Sequence, residues 1–316
     1  MFLKLFKGLA VIITVIVIIF TVILIRLKLN ISGITKETVD RPVIYRDVVY
    51  KTVDEQRLKL DIYMPQKNIF KKAPVLFLYH GGAWDSGGKS IKQFGPIDNI
   101  TKLGFAIVSV EYRLTDDETK FPAHIEDCAD SVRYIEKNAE KYGFDINRFC
   151  VMGASAGGHL ALLLALNGEN YAVDQKDVGL SLPVKCVISL CSPTDLLNLK
   201  GFTEKDTDYL DTKLKAFIGG SPNEKYDLYA EASPVTHVRS DAPPVFMAHG
   251  DKDKTILFSQ AETFYKAAKA IGMKVTFVPV HNADHEFQAV DGEMSPTIDK
   301  LFIRIIIFVF WHLLVC

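Results

Sequence analysis

Apolar and polar positions divide this chain into stretches of different period. From Gly8 to Ile25 eighteen residues carry no charge, with Lys4 and Lys7 before them and Arg26 and Lys28 after them. As a helix this run measures about 27 Å, close to the ~30 Å hydrocarbon core of a bilayer. A cleaved signal peptide has a shorter apolar region ending in small residues, and Ile25-Arg26-Leu27-Lys28 offers no such site. The expectation is an uncleaved, single-pass N-terminal membrane anchor over residues 1–30, spanning at 8–25, and a linker over 31–43.

From residue 44 onward the period shortens. Arg46–Val53 and Leu58–Tyr63 alternate as extended strands do, and Val75–Tyr79, Ala106–Glu111, Phe149–Met152, Val184–Leu190, Pro244–Ala248 and Val275–Val280 read as further strands. Helical spacing lies between them. Ile125, Cys128, Ala129, Val132 and Ile135 share one face of Ile125–Tyr142, Ala156–Leu166 is apolar throughout, and Leu257–Ile271 stops at Gly272. Strands alternating with helices predict an α/β domain over 44–316, a mostly parallel twisted sheet of about eight strands with helices on both faces. Residues 195–238 break the rhythm and predict a small cap insertion above the carboxyl edge, shaping the walls of a pocket. The end of the chain is apolar nearly all round. Ile298, Leu301, Phe302, Ile305 and Val309 predict the core-facing stripe of a last helix, whereas Ile303, Ile307, Phe310 and Leu314 face elsewhere.

Composition narrows the class without naming a function. The 316 residues are 48% hydrophobic and 24% charged, ordinary for a globular chain. The net charge is −1, and the four basic residues of the first thirty leave −1 − 4 = −5 for the remainder, so no nucleic-acid partner is expected. The five cysteines show no C-x-x-C spacing, which predicts neither a disulfide framework nor a zinc site. No H-E-x-x-H and no glycine-rich phosphate loop is present, and no cofactor or metal is expected.

Candidate chemistry centres on Gly153-Ala154-Ser155-Ala156-Gly157, a G-x-S-x-G between a strand-like run and a helix-like run. A sharp strand-to-helix turn strains the serine backbone and lifts its hydroxyl out of the sheet, and flanking glycines remove the Cβ atoms that would collide. A serine nucleophile then needs a base, an orienting acid and oxyanion donors. The acid is sought in His249-Gly250-Asp251-Lys252-Asp253, where Asp253 is favoured because the loop must turn before a carboxylate points back. Asp251 is the competitor, with an Asx turn as its structural use. The base is sought after the last strand, where His285 is favoured over His281, which is nearer the strand end. Oxyanion donors are expected from the backbone of Ala156 and from Gly82 and Ala83 in His80-Gly81-Gly82-Ala83-Trp84. His80 and Trp84 are expected to brace that loop, His159 to pack or cap, and Glu111-Tyr112-Arg113 to form a structural ion-pair corner.

On these motifs, with Phe121-Pro122-Ala123-His124 and Ala232-Ser233-Pro234-Val235, the chain from about Val43 to Leu314 resembles the α/β-hydrolase superfamily. It looks closest to the acetyl-esterase and feruloyl-esterase-like carbohydrate esterases with an H-G-G-x-W loop. The resemblance implies an α/β-hydrolase fold and hydrolysis of small acyl or acetyl esters through an acyl-enzyme. It implies Ser155 as nucleophile, Asp253 as acid, His285 as base and Gly82-Ala83 as oxyanion loop. Ala83 departs from the glycine common in the lipase-like groups, a change of little effect if only its N–H is used. An arylformamidase-like amide hydrolase is the enzyme alternative, and a non-catalytic ligand-binding receptor on the same fold is the alternative of another class.

Overall fold

The structure, a computed structural model, describes residues 43–171, 182–198 and 207–315, with 207–210 described by backbone alone. The expected span at 8–25 lies outside the described residues. Among the described residues no helix is long and apolar enough to cross a membrane.

Eight strands form one sheet in the order β1-β2-β4-β3-β5-β6-β7-β8. They are β1 Ile44–Val53, β2 Gln56–Tyr63, β3 Ala73–Tyr79, β4 Ala106–Val110, β5 Phe144–Ala154, β6 Val184–Leu190, β7 Val245–Gly250 and β8 Val275–Val280. β1 pairs antiparallel with β2, and β2 antiparallel with β4. All other pairs are parallel. The burial follows from this topology. β3 and β4 are buried at every residue, as strands covered on both faces must be. β1, at the edge, is exposed or partly buried at every residue but Tyr50.

The helices are α1 Ala123–Lys137, α2 Ala139–Tyr142, α3 Ala156–Asn167, α4 Thr207–Ile218, α5 Tyr226–Glu231, α6 Phe258–Ala270 and α7 Ile298–Phe310. The expected helix over 125–142 is interrupted at Asn138, whose backbone N–H and side-chain amide both donate to the Tyr134 carbonyl. Side chains alternate across the sheet. Val75, Phe77 and Tyr79 join a core with Ile125 and Val132 of α1 and with Leu160 and Leu163 of α3. Their neighbours Leu76 and Leu78 are buried on the other side. There Phe105 meets Phe310 at 5.0 Å between ring centroids, and Phe246 meets Phe308 at 5.5 Å. The C-terminal run therefore covers the second face of the sheet. Leu301, Ile305 and Val309 are buried as expected, Phe302 is half-buried and Ile298 is exposed. Ile303, Ile307, Phe310 and Leu314 are half-buried rather than left open.

The expected corner divides: Glu111 pairs with Lys89 at 3.5 Å, and Arg113 anchors a separate network. Arg113 grips both carboxylate oxygens of Asp127 at 2.9 Å and also reaches Glu126, while Lys51 pairs with Asp127 and Asp130. The described cysteines Cys128, Cys150, Cys186 and Cys191 are buried and free.

Candidate active site

Six adjacent parallel strands, β4-β3-β5-β6-β7-β8, end at one edge of the sheet, so the loops after β3, β5, β7 and β8 converge there. β5 ends at Ala154 and α3 begins at Ala156. Ser155 between them has φ 53° and ψ −125°, a conformation that disfavours a side chain and persists only where its surroundings enforce it. Its N–H donates to the Leu190 carbonyl at 2.8 Å, which ties the turn to β6. Gly157 lets α3 approach the sheet, because a Cβ there would lie 2.1 Å from the Tyr79 carbonyl oxygen.

Above this turn three side chains meet. Ser155 Oγ is 3.1 Å from His285 Nε2, and His285 Nδ1 is 2.7 Å from Asp253 Oδ2. A carboxylate only accepts, so Nδ1 carries the proton and Nε2 is free to accept from the serine hydroxyl. The other oxygen of Asp253 accepts from the N–H groups of Thr255 at 2.8 Å and Ile256 at 2.9 Å. Burial opposes ionisation of Asp253, but hydrogen bonds from His249 and His285 outweigh it and draw the carboxyl down to about 2.

His249 was not singled out by the sequence. Its Nε2 lies 3.1 Å from Asp253 Oδ2 and 2.7 Å from the Ile256 carbonyl oxygen. Both partners are acceptors, so Nε2–H is the donor to each. The available signal was its place at the end of β7, four residues before Asp253. Cys191, after β6, lies beside Asp253 and His285. It is buried, and with Asp253 and His285 it brings three potential ligand atoms within 4.8 Å of one another. Asp253 and His285 already bond each other there.

The two competing candidates pair with each other instead. Asp251 accepts from the Asn282 N–H at 2.7 Å and from His281 Nδ1 at 3.1 Å. It bonds the loop after β8 and not an Asx turn of its own. The His281 side chain is 72% exposed, against 15% for His285.

The loop after β3 turns through Gly82 at φ 112°, Ala83 at 48° and Trp84 at 64°. The Gly82 carbonyl is drawn backward by the N–H groups of Asp85 at 3.1 Å and Ser86 at 3.0 Å and by the Ser86 hydroxyl at 2.9 Å. Gly82, Ala83 and Ala156 line one cavity with Ser155 and His285. His80 and Trp84 brace the loop. His80 stacks on Tyr112 at 4.2 Å between centroids, and burial lowers its pKa. The Trp84 indole donates to His159 Nδ1 at 3.2 Å, and His159 Nε2–H donates to the Ala232 carbonyl at 2.7 Å. Burial lowers His159 to about 4, which keeps it neutral and able to accept from Trp84.

The cavity measures about 640 Å³. None of the described residues between 195 and 238 lines it. The described part of that segment lies behind the loop, where Phe217 stacks on Trp84 at 4.4 Å and Lys213 pairs with Asp85. Among the described residues the walls come from 92–96, the loop 286–288 and one side of α7.

A protein-family model described as BD-FAE matches residues 60–268, a range that holds Ser155 and Asp253 and stops short of His285. The chain is 28% identical over 255 residues to esterase LipC of Mycobacterium tuberculosis, covering 80% of this chain and 62% of that protein. It is 30% identical over 244 residues to esterase LipQ of the same organism, covering 76% of this chain and 56% of that protein. The chain thus spans about three-fifths of the length of these curated relatives. Among solved structures, a truncated carbohydrate esterase from gut microbiota aligns with TM-score 0.70 at 23% identity, covering 87% of this chain and 98% of that one. A thermophilic esterase of Thermogutta terrifontis, Est2, aligns with TM-score 0.66 at 25% identity, covering 86% and 93%.

Proposed function

Since this chain belongs to the BD-FAE family and has the α/β-hydrolase fold, we propose that it is a serine hydrolase of carboxylic esters. The observation that carries the reading is the unbroken relay from Asp253 through His285 to Ser155, at 2.7 and 3.1 Å, on a strained strand-to-helix turn. In this reading His285 Nε2 takes the hydroxyl proton as Ser155 Oγ bonds to the ester carbonyl carbon. The oxygen of that carbonyl gathers charge and is met by the backbone N–H groups of Gly82, Ala83 and Ala156. Collapse breaks the bond to the alcohol oxygen, which leaves with the proton now on His285, and an acyl-enzyme remains on Ser155. Water then repeats the sequence and releases the acid. Asp253 holds the tautomer of His285 and stabilises its cation throughout.

The same residues could open a small amide. The names of the relatives, LipC, LipQ and Est2, support the ester. An intact relay weighs against a receptor that has lost catalysis. Labelling with a fluorophosphonate probe together with p-nitrophenyl acetate turnover is the test. Ser155→Ala is expected to abolish labelling and to lower kcat by several orders of magnitude. An unreactive Ser155 in folded protein would sink the proposal.

The uncharged run 8–25 with its basic flanks supports tethering of this domain to a membrane. Carbonate extraction is expected to leave the intact chain in the pellet, and its full release would overturn the tether.

A further inference from the structure

The cavity in front of Ser155 is far larger than an acetyl group needs, and its shape follows one helix. Ile298, Leu301, Phe302 and Ile305 of α7 all line it. Their spacing is i, i+3, i+4 and i+7, a single stripe that runs about 10 Å along the helix. Phe94 also lines the cavity, and Met152 and Leu190 enter it from the ends of β5 and β6. Phe94, Met152, Leu190, Leu301 and Ile305 are buried, whereas the charged lining residues, Lys92 and Glu286, are exposed at the rim. The cavity is therefore apolar within and charged only where it meets water.

We propose that this stripe is a binding subsite for a linear, uncharged alkyl chain of the ester, laid along α7 from Ser155. The proposal rests on the serine-hydrolase reading of Ser155. Ten ångströms of apolar wall fit an extended chain of roughly eight carbons. A methylene moved from water onto such a wall contributes about fourfold to an equilibrium when fully buried, and an open groove returns part of that. Contacts held in the transition state appear in kcat/KM. The chain can belong to the acyl group or to the alcohol, since both leave the carbonyl beside Ser155. The physical demand on the substrate is the same in either case, an apolar arm with no charge along it.

The experiment uses the full chain and two ester series. One is p-nitrophenyl esters from acetate to dodecanoate, and the other is alkyl acetates from ethyl to decyl. In one series kcat/KM is expected to rise about two- to fourfold per methylene and to level off near eight carbons. The series that rises identifies which side of the carbonyl occupies the stripe. Two variants test the wall itself. Ile305→Trp fills the groove, and Ile298→Asp, at an exposed position in the first turn of α7, puts a charge beside the chain without disturbing the core. Each is expected to lower the octanoate-to-acetate ratio, or the corresponding alcohol ratio, at least tenfold. A flat or falling profile in both series, or ratios untouched by both variants, overturns the subsite while Ser155 still takes the fluorophosphonate. Failure of that labelling in folded protein strikes the serine-hydrolase reading instead.

Discussion

Asp253 is 3% exposed, and burial alone would oppose its charge. Hydrogen bonds from His249 and His285 reverse that balance and place its pKa at about 2. An acid depressed in the folded state stabilises the fold above its ordinary value near 4 and loses that stabilisation as pH falls toward the folded value. Wild-type protein should therefore lose about 2 kcal/mol between pH 4 and pH 2 that Asp253→Asn does not lose, read from urea unfolding across that range. The same variant is expected to lower kcat by roughly 10⁴-fold, because the asparagine no longer fixes the His285 tautomer. Asp251→Asn, which touches only the exposed His281 and one backbone N–H, should cost less than tenfold. If Asp251→Asn proves the more damaging in turnover, the acid has been misassigned. The preferred acid and base were legible because each falls in a polar loop directly after an apolar strand. His249 was not, since a histidine at the end of a buried strand carries no pattern to separate packing from support of the acid.

At the scale of elements, apolar runs mark every strand of the parallel core but β5 to within two residues, and Val184–Leu190 and Val275–Val280 coincide with β6 and β8. Polar positions concealed the rest. β5 begins at Phe144, five residues before its apolar run, because Asp145 and Asn147 interrupt the pattern. The helical turns Ile91–Phe94 and Pro96–Leu103 were not seen, since Gly95-Pro96 reads as a break. The segment 195–238 reads as an insertion, yet where its described part packs is set by long-range contacts of Phe217 with Trp84, Phe121, His124 and His159 that no local pattern announces. Phe217 is fully buried and lies flat against Trp84, behind the loop that presents Gly82 and Ala83. Truncating it leaves a cavity behind the loop and removes its backing. Phe217→Ala should cost about 3–5 kcal/mol of unfolding free energy and lower kcat more than it changes KM. Unchanged stability would mean that the insertion does not support the loop.

Across the whole molecule, the site is assembled from loops that one sheet edge gathers, while one of its walls comes from the far end of the chain. α7 serves two surfaces at once. One side covers the second face of the sheet through Phe308 and Phe310, and another lines the cavity through Leu301, Phe302 and Ile305. That double use explains why the C-terminus is apolar nearly all round, a pattern the sequence displays but cannot assign to two partners. It also ties the helix to the stability of the fold. Leu301, Ile305, Ile306, Phe308, Val309 and Leu313 are all buried. At about 1.5–3 kcal/mol for each buried side chain, their burial is on the order of 10 kcal/mol, comparable to the ~5–15 kcal/mol by which whole domains are stable. Deleting residues 298–316 uncovers Phe105 and Phe246 as well. The truncated chain is expected to lose its cooperative urea transition and to bind a hydrophobic dye, with no fluorophosphonate labelling of Ser155. A truncated chain that unfolds cooperatively near the wild-type midpoint would show that the sheet holds its second face without α7, and the helix would then be a wall of the cavity alone.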